Sequence, residues 1–122
     1  MAVSTAKAVR SVGLAGCCKS QIDLDQTGRC LAAGMNRKDP RVSPLYADLQ
    51  GFPPTLIQVG SAEVLLADAT RFAAMAGAAD VAVTLEIWPH MIHAWPLWNT
   101  QLEPGRRALA SAGAFIRRYA FL

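Results

Sequence analysis

The chain has 122 residues, room for one domain with a buried core; 52% are apolar and 17% charged, which excludes a disordered chain. The formal charge is +3, with arginines scattered or gathered near the C-terminus and no basic stripe with interleaved aromatics, which argues against a nucleic-acid partner. No apolar run is long enough to cross a bilayer, and the three cysteines (Cys17, Cys18 and Cys30) form no Cys-x-x-Cys pair, which argues against a metal knuckle and for inert thiols in a reducing cytoplasm.

Residues 1–21 match neither the helical nor the strand period and are expected to form a loosely held, poorly ordered leader. Lys7 and Arg10 are not followed by a long apolar core, so no secretory signal is expected. Residues 22–122 read as one partial domain. From Ile22 to Met35 the pattern predicts a helix, capped by Asp23 or Asp25 and carrying Cys30, Leu31 and Met35 on its apolar face. Gly34 and Asn36 end it. Residues 37–41 form a polar turn that Pro40 keeps from continuing as helix. Val42 to Leu49 holds apolar anchors around Pro44, which suits an extended loop lying on a core.

Thr55 to Val59 reads as a buried strand that ends at Gly60-Ser61-Ala62-Glu63. Spacing then turns helical: Leu65, Ala69, Phe72, Ala73 and Ala76 fall on one face. Asp80 marks a turn. Val81 to Trp88 reads as a second strand, ending at Pro89-His90-Met91-Ile92-His93. Such a strand–helix–strand unit builds a parallel sheet with a right-handed crossover. After Ala94 to Gln101, Glu103-Pro104 opens a last helix. Its stripe is Ala108, Leu109, Ala112, Phe115, Ile116 and Tyr119, and Arg117 and Arg118 suit its C-terminal dipole.

Two residues stand out by position. Glu63 lies just past the carboxyl end of the first strand and His93 just past the second, the edge where open parallel sheets place their chemistry. A carboxylate that orients a histidine is one half of a nucleophile–base–acid triad. On spacing alone, the favoured reading of His93 is a packed loop residue, and Glu63 reads as an ordinary acid at a helix start. Bulky neighbours Met91, Ile92 and Trp95 favour a fixed imidazole suited to general-base work. His90 and Asp68 rank second to them. The nucleophile is missing: the sequence contains no Gly-x-Ser-x-Gly elbow. Ser43 and Ser61 lack that context, Gly60-Ser61-Ala62 reads as a tight turn, and Ser111 reads as helix packing.

Taken as an ordered set, Asp39-Pro40-Arg41-Val42-Ser43-Pro44-Leu45-Tyr46-Ala47-Asp48-Leu49, Phe52-Pro53-Pro54-Thr55-Leu56-Ile57-Gln58-Val59-Gly60, Glu63-Val64-Leu65-Leu66-Ala67-Asp68 and Met91-Ile92-His93 resemble the C-terminal part of the hormone-sensitive-lipase-type α/β-hydrolases, which are carboxylesterases and lipases. The resemblance covers about residues 22–122. It implies an α/β fold: the C-terminal portion of an α/β-hydrolase, parallel strands with flanking helices, the N-terminal half missing. It also implies Glu63 as triad acid, His93 as triad base, Asp68 as a downstream acid outside the triad, and His90 at a place where relatives often carry glycine.

The implied parent reaction is hydrolysis of a small carboxylic ester, with no metal and no cofactor. The family's nucleophile elbow and oxyanion loop have no counterpart in the sequence, so the chain alone is expected to be inactive. Two alternatives belong to other classes: a complementing subunit for a serine-bearing chain, and a non-catalytic binding or structural domain. The last helix's stripe leaves a homo-oligomer open as a partner.

Overall fold

The computed structural model describes residues 36 and 38–119; the expected leader (1–21) and the helix expected over 22–35 lie outside them. Two strands, β1 (Thr55–Gly60) and β2 (Val83–Trp88), pair in parallel with Thr55 opposite Val83 and Gly60 opposite Trp88. Helix α1 (Leu66–Ala78) makes the crossover, and helix α2 (Glu103–Tyr119) closes the described chain. Short 3₁₀ turns at Pro44–Tyr46 and Trp95–Trp98 precede β1 and α2, each opened by a proline in its first positions.

The register sorts side chains onto two faces, because successive strand residues point to opposite sides. Ile57 of β1 and Val83 of β2 pack against the core made by Leu49, Phe72, Ala76 and Val81, on the face covered by α1. Gln58 and Glu86, opposite each other in the ladder, face the other way and meet α2. The sheet is therefore sandwiched between α1 and α2, an α/β layering.

Helix α1 buries Ala69, Phe72 and Ala76, three of the five positions that the spacing assigns to its apolar face. Its C-terminus explains why β2 starts at Val83 and not at Val81. Asp80 takes a left-handed φ of 61°, its N–H donates to the Gly77 carbonyl, and the Val81 N–H donates to the Ala76 carbonyl. That is a Schellman closure, completed by the apolar contact of Val81 with Ala76 inside the core. Val81 is used to end the helix before the strand begins.

Residues Val42 to Leu49 form a loop on the core, as the proline-interrupted pattern predicts, with Leu49 fully buried and Leu45 packed against the same cluster. The loop is entered through Asp39, which accepts hydrogen bonds from the Arg41 guanidinium and from the Arg41 backbone N–H, holding its carboxyl below the usual range.

Candidate functional site

The carboxyl ends of β1 and β2 continue into two loops that are joined along their backbones. The Ser61 N–H donates to the Trp88 carbonyl at 2.9 Å and the Ala62 N–H to the Met91 carbonyl at 3.1 Å. The Met91 N–H turns back onto the Trp88 carbonyl at 3.3 Å. Gly60 sits where this approach is closest. A Cβ there would lie 2.6 Å from the Met91 carbonyl carbon and nearer still to its oxygen, so only glycine fits.

This juncture brings Glu63 and His93 together. His93 Nδ1 lies 2.7 Å from Glu63 Oε2. A carboxylate only accepts, so Nδ1 carries the proton and donates it. The second carboxylate oxygen, Oε1, accepts the Gly60 N–H at 2.6 Å. The Glu63 side chain is 5% exposed and that of His93 22%, so the acid is sealed while the imidazole keeps an open side. With Nδ1 occupied, Nε2 is the ring atom left to act as a base, and it has no hydrogen-bond partner among the described residues. The ordinary reading of Glu63 as a helix-terminal acid does not describe it: α1 starts three residues later, and the carboxylate turns back to Gly60 and across to His93.

The other candidates lie elsewhere. Asp68 is in the first turn of α1, half exposed and 3.6 Å from Arg71. His90 is exposed with a left-handed φ of 61°, and its N–H donates to Ser61 Oγ at 2.8 Å. Ser43 caps the first 3₁₀ turn through its backbone. Ser111 donates its hydroxyl to Glu86. Among the described residues there is no cluster of three or more metal-ligating side chains.

Features around the site were not signalled by spacing. His93 is bracketed by two left-handed residues, His90 and Ala94 (φ 61° and 57°), and Ala94 opens the Trp95–Trp98 turn. Trp95 is 2% exposed and tilts against Trp88 with ring centroids 6.0 Å apart. Arg107 of α2 lies over the Trp88 ring, 5.5 Å from its centre. Glu86 accepts from Gln58 Nε2 at 2.8 Å and Trp88 Nε1 at 3.2 Å as well as from Ser111, tying the sheet to α2 just below the loops. The sequence signals for this network were two polar residues, Gln58 and Glu86, inside largely apolar strands.

Comparison with known proteins gives one consistent result. Residues 5–97 match the model of a family described as having the α/β-hydrolase fold, and the match begins within the segment read from sequence as a leader. An acetyl-hydrolase of Streptomyces hygroscopicus is 45% identical over 95 residues, which are 78% of this chain and 32% of that protein. An esterase of Acinetobacter venetianus is 46% identical over 77 residues, 63% of this chain and 25% of that protein. Among solved structures, a hormone-sensitive lipase from a metagenome library superposes with a TM-score of 0.79 at 37% identity, covering 83% of this chain and 35% of that one. The chain spans about a quarter to a third of the length of these relatives, and the part it matches is their C-terminal one. Among the described residues, no helix is long and apolar enough to cross a membrane.

Proposed function

The chain belongs to the α/β-hydrolase fold family matched over residues 5–97, as the C-terminal part of an esterase of the hormone-sensitive-lipase type, and from that premise we propose that Glu63 and His93 are the acid and base of a serine-dependent triad for ester hydrolysis. One observation carries this reading: the 2.7 Å hydrogen bond between His93 Nδ1 and a buried Glu63 carboxylate, formed at the carboxyl edge of a parallel sheet. In the intact site, His93 Nε2 takes the proton of the attacking serine hydroxyl. It then returns that proton to the departing alkoxide of a small carboxylic ester. Glu63 fixes the tautomer and stabilises the imidazolium formed between the two steps, while the Gly60 N–H keeps the carboxylate aimed.

Neither the nucleophile elbow nor an oxyanion loop occurs among the 122 residues, so we assign to this chain the acid–base half of the reaction. The same reading puts the chain in the cytoplasm, a compartment that suits three cysteines without a pairing motif.

Two assays test the proposal. The purified chain with a short-chain chromogenic ester is expected to give no turnover above its His93→Ala variant. Turnover that vanishes in His93→Ala would place a nucleophile in this chain and overturn the half-site assignment. The second assay grafts residues 22–122 in place of the matching part of the Streptomyces acetyl-hydrolase. An active chimera should lose about 10⁶-fold in kcat with His93→Ala and about 10⁴-fold with Glu63→Gln. A folded chimera that keeps its activity without His93 would sink the triad assignment.

A further inference from the structure

We infer that Ser61 is a positioning residue for His93: its hydroxyl clasps the histidine loop onto the end of β1 and so holds the imidazole against Glu63. The inference rests on the Glu63–His93 pair proposed above and assigns a role to a serine that spacing alone leaves as part of a tight turn.

Three contacts join the two loops in succession. Ser61 N–H donates to the Trp88 carbonyl, Ser61 Oγ accepts from the His90 N–H, and Ala62 N–H donates to the Met91 carbonyl. The first and third are backbone bonds that any residue but proline could make. The middle one depends on the residue at position 61. It is also placed where it does most. His90 is left-handed (φ 61°), a conformation that costs an ordinary L-residue about 1–2 kcal/mol, so the loop needs a bond at that point to stay in this shape.

Three residues further on is His93, and among the described residues the loop has no other side-chain bond to the segment after β1 except the Glu63–His93 bond itself. Releasing His90 would let the segment from Pro89 to His93 relax, with the strain at His90 and Ala94 driving the relaxation. The Ser61 side chain makes no bond to Glu63 or His93, so it acts only through the loop.

The test reads the His93 Nδ1–H directly, by proton–nitrogen NMR of the imidazole in the full chain. In the wild type this proton should be observable and slow to exchange with solvent. Ser61→Ala should speed its exchange about fivefold, as expected for losing one hydrogen bond of ordinary net strength. Amides of β1 and β2 should keep their protection. Ser61→Thr, which retains the hydroxyl, should restore slow exchange.

Glu63→Gln serves as the reference that separates the two claims. If Glu63→Gln leaves the Nδ1–H unchanged, or the wild type shows no such proton, the Glu63–His93 pairing fails and this inference falls with it. If Glu63→Gln removes the signal while Ser61→Ala leaves its exchange at the wild-type rate, the pairing stands and the role of Ser61 is refuted. A uniform loss of protection across the sheet in Ser61→Ala would also refute it, since the serine would then serve general stability and not the position of His93.

Discussion

The loop junction at the ends of β1 and β2 and the seat of α2 beside it are built in opposite ways. The junction is held mainly by backbone bonds, from Ser61 to Trp88 and from Ala62 to Met91, and by a glycine where a Cβ would not fit. The seat of α2 is held by side chains: Gln58 donates to the Ala108 carbonyl, Glu86 collects three donors, and Arg107 covers Trp88. Apolar burial adds little to the seat. Gly105 and Ala108 are buried, yet Leu109 and Ile116 of the same helix remain 48% and 49% exposed. Backbone bonds fix the frame of the junction whatever the side chains, and within that frame the Ser61–His90 bond helps keep Glu63 and His93 in register. A side-chain network can be dismantled by one substitution. The two regions should therefore fail separately.

Gly60→Ala is the strongest way to break the junction. The new methyl has to displace the backbone of Met91, and overpacking against backbone should cost about 3 kcal/mol. Denaturant unfolding should show a lower midpoint at unchanged slope, and the His93 Nδ1–H signal should be lost. A variant that keeps both would mean that the loops are not in the close contact described. Glu86→Ala tests the other region. It leaves the Gln58 amide, the Trp88 indole and the Ser111 hydroxyl without their shared acceptor, at a cost of about 1.5 kcal/mol. Hydrogen exchange should show α2 opening more readily while the Glu63–His93 bond persists. Loss of that bond in Glu86→Ala would show that the junction depends on α2 and that the two regions are not independent.

The same contrast decides what could be read in advance. The strand–helix–strand unit and the Glu63 and His93 positions were legible because short apolar runs, a change to helical spacing and glycine punctuation are all local signals. The start of β2 was not, because Val81 satisfies the strand pattern equally well and only the left-handed Asp80 shows it closing α1. The link between Glu86 and Ser111 joins residues 25 apart in the chain, and no local period encodes it. The stripe on α2 was legible as a stripe. Periodicity reports that a helix is amphipathic, however, and not how much surface is present to receive it, so the exposure of Leu109 and Ile116 had no sequence signal. Ser61 carries no sequence signal for a related reason: a serine in a tight turn is common, and its partner is the backbone N–H of a residue 29 positions away.

Ala94→Gly sharpens the comparison at its smallest scale and with the opposite sign. Ala94 holds a left-handed φ of 57°, where its Cβ crowds the carbonyl oxygen and neither a side-chain cap nor a polar group compensates. Glycine at this position removes the crowding but adds freedom to the unfolded chain. The net gain in stability should be about 0.5 kcal/mol, read as a small rise in the unfolding midpoint. At the same time glycine widens the range of backbone angles open to the residue following His93. The His93 Nδ1–H should then exchange faster even though the fold as a whole is more stable. A gain in stability with faster local exchange would identify the restricted backbone of Ala94, and not its strain, as what keeps the imidazole in place. A gain in both would mean that Ala94 is a plain imperfection, and that the backbone bonds of the junction suffice to hold His93 without it.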